Sequence, residues 1–282
     1  WLALDEASRS CVVINPVGSL GERIASMIRS RDYRVRGIIG TSTGGDQASV
    51  RAALAELLGE QLDFAGTDDP FGWPAGSGGV RLGDGTQSDG IALGGQVLAR
   101  VLHDGDASRS YLMGDSSGDA LHPADVRFAF TNAEPSSLLL NPYTILCPSH
   151  DAANLICTTP AAGTRPVPSL DSMELRPTEL DRFLHERPDA ILVDVRDPWE
   201  HEAGRPVIQG RTALNVPLSR LPSQLAQWLS VESRPLVFIC RLGTRSQRAA
   251  QCLHRAGYAQ AWHLAGGLAL HFAARKTDLS YS

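Results

Sequence analysis

Two hydrophobic patterns alternate along this chain: short continuous apolar runs, and stretches in which apolar positions recur every three or four residues. The runs are typical of strands buried on both faces, and the recurring positions are typical of amphipathic helices. The clearest pair lies near the carboxyl end, where a run at residues 236–239 is followed by helical spacing over residues 247–256. This alternation predicts an α/β chain.

The same patterns divide the chain into two parts. Between them, residues 158–169 are rich in Pro, Thr and Gly, which end periodic structure. We therefore predict a first domain over residues 1–160, a linker over 161–170 and a second domain over 171–282. A Gly/Asp-rich stretch at residues 66–90 is predicted to be a surface excursion of the first domain.

Composition agrees with two globular domains and excludes some functions. The 282 residues are 43% apolar, which is enough for two cores, and no apolar run reaches the ~20 residues needed to span a membrane. A net charge of −5 gives no reason to expect nucleic-acid binding. Five irregularly spaced cysteines favour a reducing, cytoplasmic location. Because Trp1 already opens a strand-like run, a first strand or leader is expected to be missing.

Cys240 stands where the buried run ends and a turn leads into a helix. Such a turn directs backbone N–H groups and the positive end of the helix dipole toward that position. The turn consists of Arg241, Leu242, Gly243, Thr244, Arg245 and Ser246, and its two arginines, its glycine and its two hydroxyl residues are poor core formers but good formers of an anion cradle. This setting favours thiolate over thiol, so Cys240 is predicted to be a nucleophile and the turn its substrate-binding loop.

Other residues of the same chemical types have simpler interpretations. Four cysteines lie in or beside apolar stretches without a comparable cradle and are predicted to be packing residues: Cys11, Cys147, Cys157 and Cys252. Asp194 and Arg196 follow another apolar run, and we interpret them as a strand-end ion pair with no substrate role.

Residues 174–272 resemble the rhodanese family. The resemblance rests on a helix at 177–186, the strand and turn at 190–201, the segment 213–218, the Cys240 turn and the segment 265–268, in the family's order and spacing. It implies a doubly wound α/β domain with a parallel sheet. It also implies a cysteine that accepts a sulfane sulfur as a persulfide and passes it to a nucleophile, and Cys240 matches that position.

Loop length separates this segment from related phosphatases, which place five residues between their cysteine and arginine. Here Ser246 holds that position and Arg245 comes one residue earlier. The ring of N–H donors is therefore predicted to be too small for phosphate and better matched to a persulfide or thiosulfate sulfur. No general base is needed, since a thiolate is already the nucleophile.

Residues 1–160 resemble the metallo-β-lactamase fold, through the patterns at 11–16, 19–31, 35–41, 91–95 and 111–115. The resemblance implies an αββα sandwich. Active members carry His-x-His-x-Asp-His after a strand and a threonine, where this chain reads Thr-Ser-Thr-Gly-Gly-Asp-Gln. The histidine positions are held by Ser42, Gly44 and Gln47, and only Asp46 remains.

Two more positions match ligands of that family, Asp115 as the bridging aspartate and His150 as the last histidine. His103 or Asp104 is a further uncertain ligand. A catalytic metal site usually needs three protein ligands in fixed geometry. We therefore predict that this domain binds no metal, with Asp46, Asp115 and His150 as vestigial positions, and that the chain uses no cofactor. A rearranged site built from those three residues is the alternative.

The resemblances together predict a rhodanese-type sulfurtransferase. Cys240 would take sulfur from thiosulfate or a low-molecular-weight persulfide and pass it to a thiophilic acceptor. Fusions of these two folds with intact histidines resemble persulfide dioxygenases, and here that oxidation chemistry is expected to be lost. The alternatives are a non-catalytic sulfur carrier or interaction module, and a surviving metal-dependent hydrolase or dioxygenase.

The expected partners follow from this chemistry. They are a small anionic sulfur donor and a thiol or protein acceptor, with no nucleic acid and no membrane. Homo-oligomerisation through the first domain is left open.

Overall fold

The computed structural model divides the chain into two compact units, residues 1–150 and 151–282. It describes residues 1–64, 66–103, 108–116, 120–131, 138, 140–148, 157–160, 169–229 and 234–278. The stretch at residues 157–160 belongs to the second unit. The domain limits given above stay predictions, and each unit is described by itself.

The first unit contains two helices and ten strands among the described residues. The helices are α1 (Gly21–Ser30) and α2 (Gln47–Leu58). The strands are β1 (Leu2–Asp5), β2 (Ser10–Ile14), β3 (Arg34–Ile39), β4 (Gly78–Leu82), β5 (Gln87–Leu93), β6 (Gln96–Leu102), β7 (Arg109–Asp115), β8 (Ala120–Leu121), β9 (Val126–Phe130) and β10 (Ile145–Cys147).

These strands form two sheets. The smaller has the order β1-β2-β3, and the larger has the order β10-β9-β7-β6-β5-β4-β8 and is mostly antiparallel. Helices α1 and α2 cover one face of the smaller sheet through apolar residues such as Ile28 and Leu54. The described residues thus supply one helical layer and two sheets of the predicted αββα order. A second helical layer, on the far face of the larger sheet, stays a prediction.

The prediction of a surface excursion at residues 66–90 is wrong. Phe71 and Trp73 are buried, and the Trp73 ring stacks on the ring of Tyr111 with 5.5 Å between centroids. Strands β4 and β5 then join the larger sheet. The glycines interrupt the alternation of apolar positions, so the sequence pattern does not indicate a buried segment here. The aromatic side chains between the glycines are the residues that pack into the core.

The second unit is built from five helices and seven strands in its described part. The helices are α3 (Pro177–Glu186), α4 (Pro198–Ala203), α5 (Leu221–Leu229), α6 (Thr244–Arg255) and α7 (Gly267–Asp278). The strands are β11 (Glu174–Leu175), β12 (Ile191–Asp194), β13 (Val207–Ile208), β14 (Arg211–Thr212), β15 (Leu214–Asn215), β16 (Leu236–Ile239) and β17 (Ala261–Leu264).

Five of these strands form a parallel sheet of order β11-β17-β16-β12-β15. One face packs on α3 and α7 through residues such as Leu180 and Leu268. The opposite face packs on α6 and on α5, where Trp228 lies edge-on to Phe238. The predicted α/β class is confirmed, and in this unit the sheet is doubly wound. All four residues of β16 are buried, so the end of the central strand is a fixed platform for the residue that follows.

No helix in the described part of the chain is both long and apolar enough to cross a membrane.

Candidate active site

The Cys240 loop begins at the carboxyl end of β16 and leads directly into α6. The helix starts at Thr244, three residues earlier than the apolar spacing predicts, because its first turn is polar. Gly243 precedes the helix with φ of 93°, a left-handed conformation that favours glycine. The turn is therefore short, and it curls back over the Cys240 side chain.

The Cys240 sulfur accepts two backbone hydrogen bonds from this turn. The N–H of Gly243 lies 3.2 Å from Sγ and the N–H of Ser246 lies 3.4 Å from it. Cys240 itself is only 1% exposed. Converging N–H donors and the N-terminal end of α6 both favour negative charge on the sulfur. The loop thus has the geometry expected of a thiolate cradle.

Ser246 contacts the Cys240 sulfur through both its side chain and its backbone. Its hydroxyl donates to the Gly243 carbonyl at 2.9 Å, and its oxygen lies 3.5 Å from the Cys240 sulfur. With its proton committed to Gly243, Oγ is placed to accept the thiol proton of Cys240. The backbone N–H of Ser246, rather than its hydroxyl, is the donor to sulfur.

The Cys240 loop is supported from behind by the first turn of α7. The N–H of Leu268 donates to the Cys240 carbonyl at 2.9 Å, and the N–H of Ala269 donates to the Arg241 carbonyl at 3.0 Å. Gly267 makes this approach possible: its φ is 63°, and an added Cβ would lie 2.5 Å from the Cys240 carbonyl oxygen. The sequence analysis used Gly267 only as part of a resemblance and missed this support.

Arg245 is bound to a residue that the sequence analysis did not assign to the site. Its Nη1 and Nη2 atoms lie 2.5 and 2.8 Å from the two carboxylate oxygens of Glu200. The hydrogen bond from Arg245 lowers the pKa of Glu200 to about 2, and the same pairing raises the pKa of Arg245. A bidentate pair of this kind fixes the guanidinium plane. Arg245 therefore braces the loop against α4, and Glu200 neutralises much of its charge.

A capping signal could have located Glu200. Residues Asp197, Pro198 and Trp199 precede it in a capping-box pattern, and the Glu200 carboxylate accepts the backbone N–H of Asp197 at 3.1 Å. The pattern places the carboxylate at the start of α4. It does not reveal the partner, because Arg245 lies far along the chain.

Three of the predicted binding residues face outward. Arg241, Leu242 and Thr244 are exposed, and Leu242 retains 67% of its accessible surface. Arg241 therefore supplies positive charge at the rim of the loop, whereas Thr244 does not line its buried interior. The exposed Leu242 side chain leaves apolar surface beside the loop.

The interpretation of Asp194 and Arg196 as an ion pair agrees with the geometry. Asp194 is fully buried, and Arg196 contacts both of its carboxylate oxygens at 2.8–3.0 Å. His201 Nδ1 lies 2.8 Å from the same carboxylate. Asn215 donates to the carbonyls of Asp194 and Arg196 at 3.0 Å each. This network ties the end of β12 to β15 and to α4.

The vestigial metal positions do not form a metal site in the described part of the chain. Asp46 is exposed at the start of α2, and the Asp115 carboxylate is paired with the guanidinium of Arg127. His103 Nε2 lies 2.6 Å from the hydroxyl of Ser110. No group of three or more potential ligands occurs among these residues. A guanidinium paired with the Asp115 carboxylate repels a cation, so Asp115 as placed does not fit the bridging role that the resemblance implies.

His150 and Asp104 lie outside the described residues.

The environment of Cys11 agrees with its prediction as a packing residue. Burial raises the pKa of the Cys11 thiol to about 12, so it stays protonated at neutral pH. Cys147 is likewise buried.

Comparison with known proteins places the loop in a family. The sequence model of the rhodanese-like domain matches residues 176–271. Among curated proteins, the tRNA uridine(34) hydroxylase of Cronobacter sakazakii is 26% identical over 98 residues, which are 33% of this chain and 27% of that protein. The same enzyme of Salmonella arizonae is 28% identical over 109 residues, 36% of this chain and 30% of that protein. The chain thus spans less than a third of the length of these relatives.

Two solved structures are also similar. The human single-domain sulfurtransferase TSTD1 is 34% identical, with 36% of this chain and 96% of that chain covered and a TM-score of 0.30. ETHE1 from Myxococcus xanthus is 22% identical, with 58% of this chain and 75% of that chain covered and a TM-score of 0.38.

The match to the family model includes the Cys240 loop, the Glu200 brace and the turn at Gly267. It confirms the rhodanese resemblance for the carboxyl-terminal part of the chain. Residues 176–271 therefore form a rhodanese-like domain.

Proposed function

We propose that this protein is a sulfurtransferase with Cys240 as its nucleophile. The observation that carries the proposal is the pair of backbone N–H groups, from Gly243 and Ser246, on a buried cysteine sulfur at 3.2 and 3.4 Å. The rhodanese-like family match supports sulfur transfer in general. The donor, the acceptor and the catalytic role of Cys240 are part of the proposal.

In the first half of the reaction the sulfur of Cys240 attacks the outer sulfur of an anionic donor. With thiosulfate, a sulfur–sulfur bond to Cys240 forms, the sulfur–sulfur bond of thiosulfate breaks, and sulfite leaves with the bonding electron pair. The charge that attracts the thiosulfate dianion is that of the exposed Arg241, since Glu200 largely neutralises the charge of Arg245. Attack requires the thiolate, so the thiol proton is lost to solvent before the new sulfur–sulfur bond forms.

In the second half a nucleophile attacks the outer sulfur of the persulfide and restores the Cys240 thiolate. The cradle stabilises that leaving thiolate through the Gly243 and Ser246 N–H groups, so the same donors assist both halves. Because Cys240 is recessed, the acceptor reaches the outer sulfur rather than Sγ. An exposed Leu242 favours an acceptor thiol carried on a partly apolar molecule.

The names of the curated relatives favour a second candidate, modification of tRNA uridine. That candidate needs a surface that binds the phosphate backbone. The net charge of −5 and the sequence pI of about 5.9 do not favour such a surface. Sulfur transfer to a thiol or small nucleophile is therefore the better-supported function.

The test is a sulfur-transfer assay with thiosulfate as donor and cyanide as acceptor, followed as thiocyanate. We expect turnover by the full chain. The Cys240→Ser variant should lose activity by about 10³-fold or more, because a serine hydroxyl cannot hold sulfane sulfur. Cys252→Ser, assayed under reducing conditions, is the matched control because it removes a buried thiol of the same domain. It should retain most of the activity.

Two outcomes separate this proposal from its rivals. Turnover by the Cys240→Ser variant at the wild-type rate would refute the assignment. Stoichiometric persulfide on Cys240 without turnover would indicate the non-catalytic carrier instead. The donors to be tried are thiosulfate and glutathione persulfide, and thioredoxin is to be tried as an acceptor.

A further inference from the structure

Two cysteines of the second unit lie in close contact. The Sγ atoms of Cys157 and Cys252 are 3.0 Å apart, and both residues are buried. Two non-bonded sulfur atoms do not normally approach this closely, and a disulfide bond measures about 2.05 Å. A movement of about 1 Å would therefore join them, so these cysteines are more than the packing residues that their sequence context predicts.

Contacts on either side hold the two thiols together. The Cys252 sulfur also contacts the Cys157 carbonyl at 3.5 Å, and the Thr159 hydroxyl donates to the Ala256 carbonyl at 3.4 Å. Cys252 lies on the buried side of α6, beside Leu253. Residues 157–160 thus lie along the second half of α6, and the contact between the two thiols is part of their packing on that helix.

The pair is separate from the catalytic loop, although it shares a helix with it. Cys252 follows Ser246 by six residues, which is about 9 Å along the helix axis. Ser246 is the residue of α6 that contacts the Cys240 sulfur. Cys252 therefore lies well beyond the part of α6 that contacts the Cys240 sulfur, and the sulfur that it contacts is that of Cys157.

We propose that Cys157 and Cys252 are a redox-active dithiol that a hydroperoxide oxidises to a disulfide. One thiolate attacks a peroxide oxygen, the O–O bond breaks, a sulfenic acid forms and hydroxide leaves. The second thiolate then attacks the sulfenic sulfur, so that the S–S bond forms, the S–O bond breaks and a second hydroxide leaves. With hydrogen peroxide the two thiol protons end on these hydroxides, giving two waters, and the cysteines lose two electrons in all.

The disulfide would close a long loop. Residues 157 and 252 are separated by 95 positions, and the loop contains every strand of the parallel sheet except β17. Closing such a loop restricts the unfolded chain, and strain is small where the sulfur atoms are already adjacent. The oxidised protein should therefore unfold at a temperature about 5 °C or more above that of the reduced protein.

The test uses the full chain with Cys240→Ser, so that the catalytic sulfur does not compete for oxidant. Reduced protein is treated with hydrogen peroxide, unfolded in an alkylating agent and mapped by mass spectrometry without reduction. We expect one peptide pair joined through Cys157 and Cys252. The same protein should show the rise in melting temperature, and dithiothreitol should reverse it. The further substitution Cys147→Ser, at a buried cysteine of the other unit, should leave the link intact, whereas Cys252→Ser should abolish it.

The proposal is overturned if the peroxide-treated protein yields Cys157 and Cys252 as separate alkylated thiols. It is overturned equally if they appear as separate sulfinic acids or bonded to other cysteines. Should Cys252→Ser fail to fold, the map of the protein with both cysteines present still decides. None of these outcomes depends on sulfur transfer by Cys240.

Discussion

At the scale of single residues, the Cys240 site depends on charges that are paired rather than free. Arg245 would look like an anion-binding residue if only the loop were considered, yet both of its outer nitrogens bind Glu200. The side chains of Arg245 and Glu200 are 33% and 14% exposed, so water screens their interaction only in part. Their pairing holds the loop in shape, and Arg241 remains to attract an anion at the rim.

Because of this ion pair, part of the free energy of unfolding depends on pH and is lost in acid. Because the folded-state pKa of Glu200 lies near 2 rather than the ordinary 4.5, the folded state binds fewer protons than the unfolded state between those values. The stabilisation is therefore fully present above pH 4.5 and is lost as the pH falls toward 2. We expect Glu200→Gln to lower the free energy of unfolding by about 1–2 kcal/mol at pH 7 and the deficit to shrink below pH 4.5.

Urea unfolding between pH 7 and pH 3 measures the effect. Glu186→Gln is the control, because Glu186 makes only a 3.8 Å pair with Arg182 and its side chain is 63% exposed. Its free energy of unfolding should stay within about 0.5 kcal/mol of the parent value throughout. Curves for Glu200→Gln and the parent that run parallel across the whole range would contradict the role given to this pair.

At the scale of elements, two helix starts meet at one loop. The start of α6 supplies N–H groups to the Cys240 sulfur, and the start of α7 supplies N–H groups to the carbonyls of Cys240 and Arg241. Because the carbonyls are held from behind, the peptide planes of the turn are fixed in orientation. The cradle thus depends as much on α7 as on the residues of the loop.

Gly267→Ala tests that dependence. At φ of 63° an alanine is strained by about 1 kcal/mol, and its Cβ would meet the Cys240 carbonyl oxygen at 2.5 Å, adding about 1–3 kcal/mol. Gly210→Ala is the matched control, since Gly210 has φ of 74° with no atom near the added Cβ. We expect the control to show the backbone strain alone and to keep sulfur transfer, whereas Gly267→Ala loses more stability and most activity. Equal losses in both variants would show that the contact with Cys240 is unimportant.

Local pattern predicted the elements well and their long-range partners poorly. The strand Leu236–Ile239 has the bounds that its apolar run predicts, because those residues are next to one another in the chain, and the helix Pro177–Glu186 has the bounds that the rhodanese resemblance implies. The start of α6 was missed because its first turn is polar. The brace between Glu200 and Arg245 and the contact of Gly267 with Cys240 join distant segments, and no local spacing encodes which segments will meet.

At the scale of the whole molecule, the two units differ in how far their residues form a site suited to chemistry. The second unit presents a recessed sulfur with two N–H donors. In the first unit, Asp115 is paired with Arg127, and Ser42, Gly44 and Gln47 stand where the resemblance to the metallo-β-lactamase fold implies histidines. Among the described residues of this unit, buried apolar clusters nevertheless lie on both sheets. We therefore expect this unit to fold without an ion.

Elemental analysis of the full chain, grown with added zinc and iron, tests this expectation. We expect far less than one metal per chain, because serine and glutamine are weak neutral ligands and glycine offers none. Arg127→Ala should not create binding, since it frees only one carboxylate. One tightly held metal per chain that is lost on Asp115→Ala and on His150→Ala would overturn the prediction.

The strand order of the parallel sheet also determines when the second unit can fold during synthesis. Strand β11 (Glu174–Leu175) is the first strand of the parallel sheet to be made, and its one partner among the described strands is β17 (Ala261–Leu264), the last strand of that sheet to be made. The turn at Gly267, which backs the reactive loop, emerges later still. A nascent chain that has not yet reached this turn therefore carries Cys240 without its support, and the apolar strands already made stay exposed to aggregation. The geometry around the sulfur is completed only after the last strand of the sheet has been made.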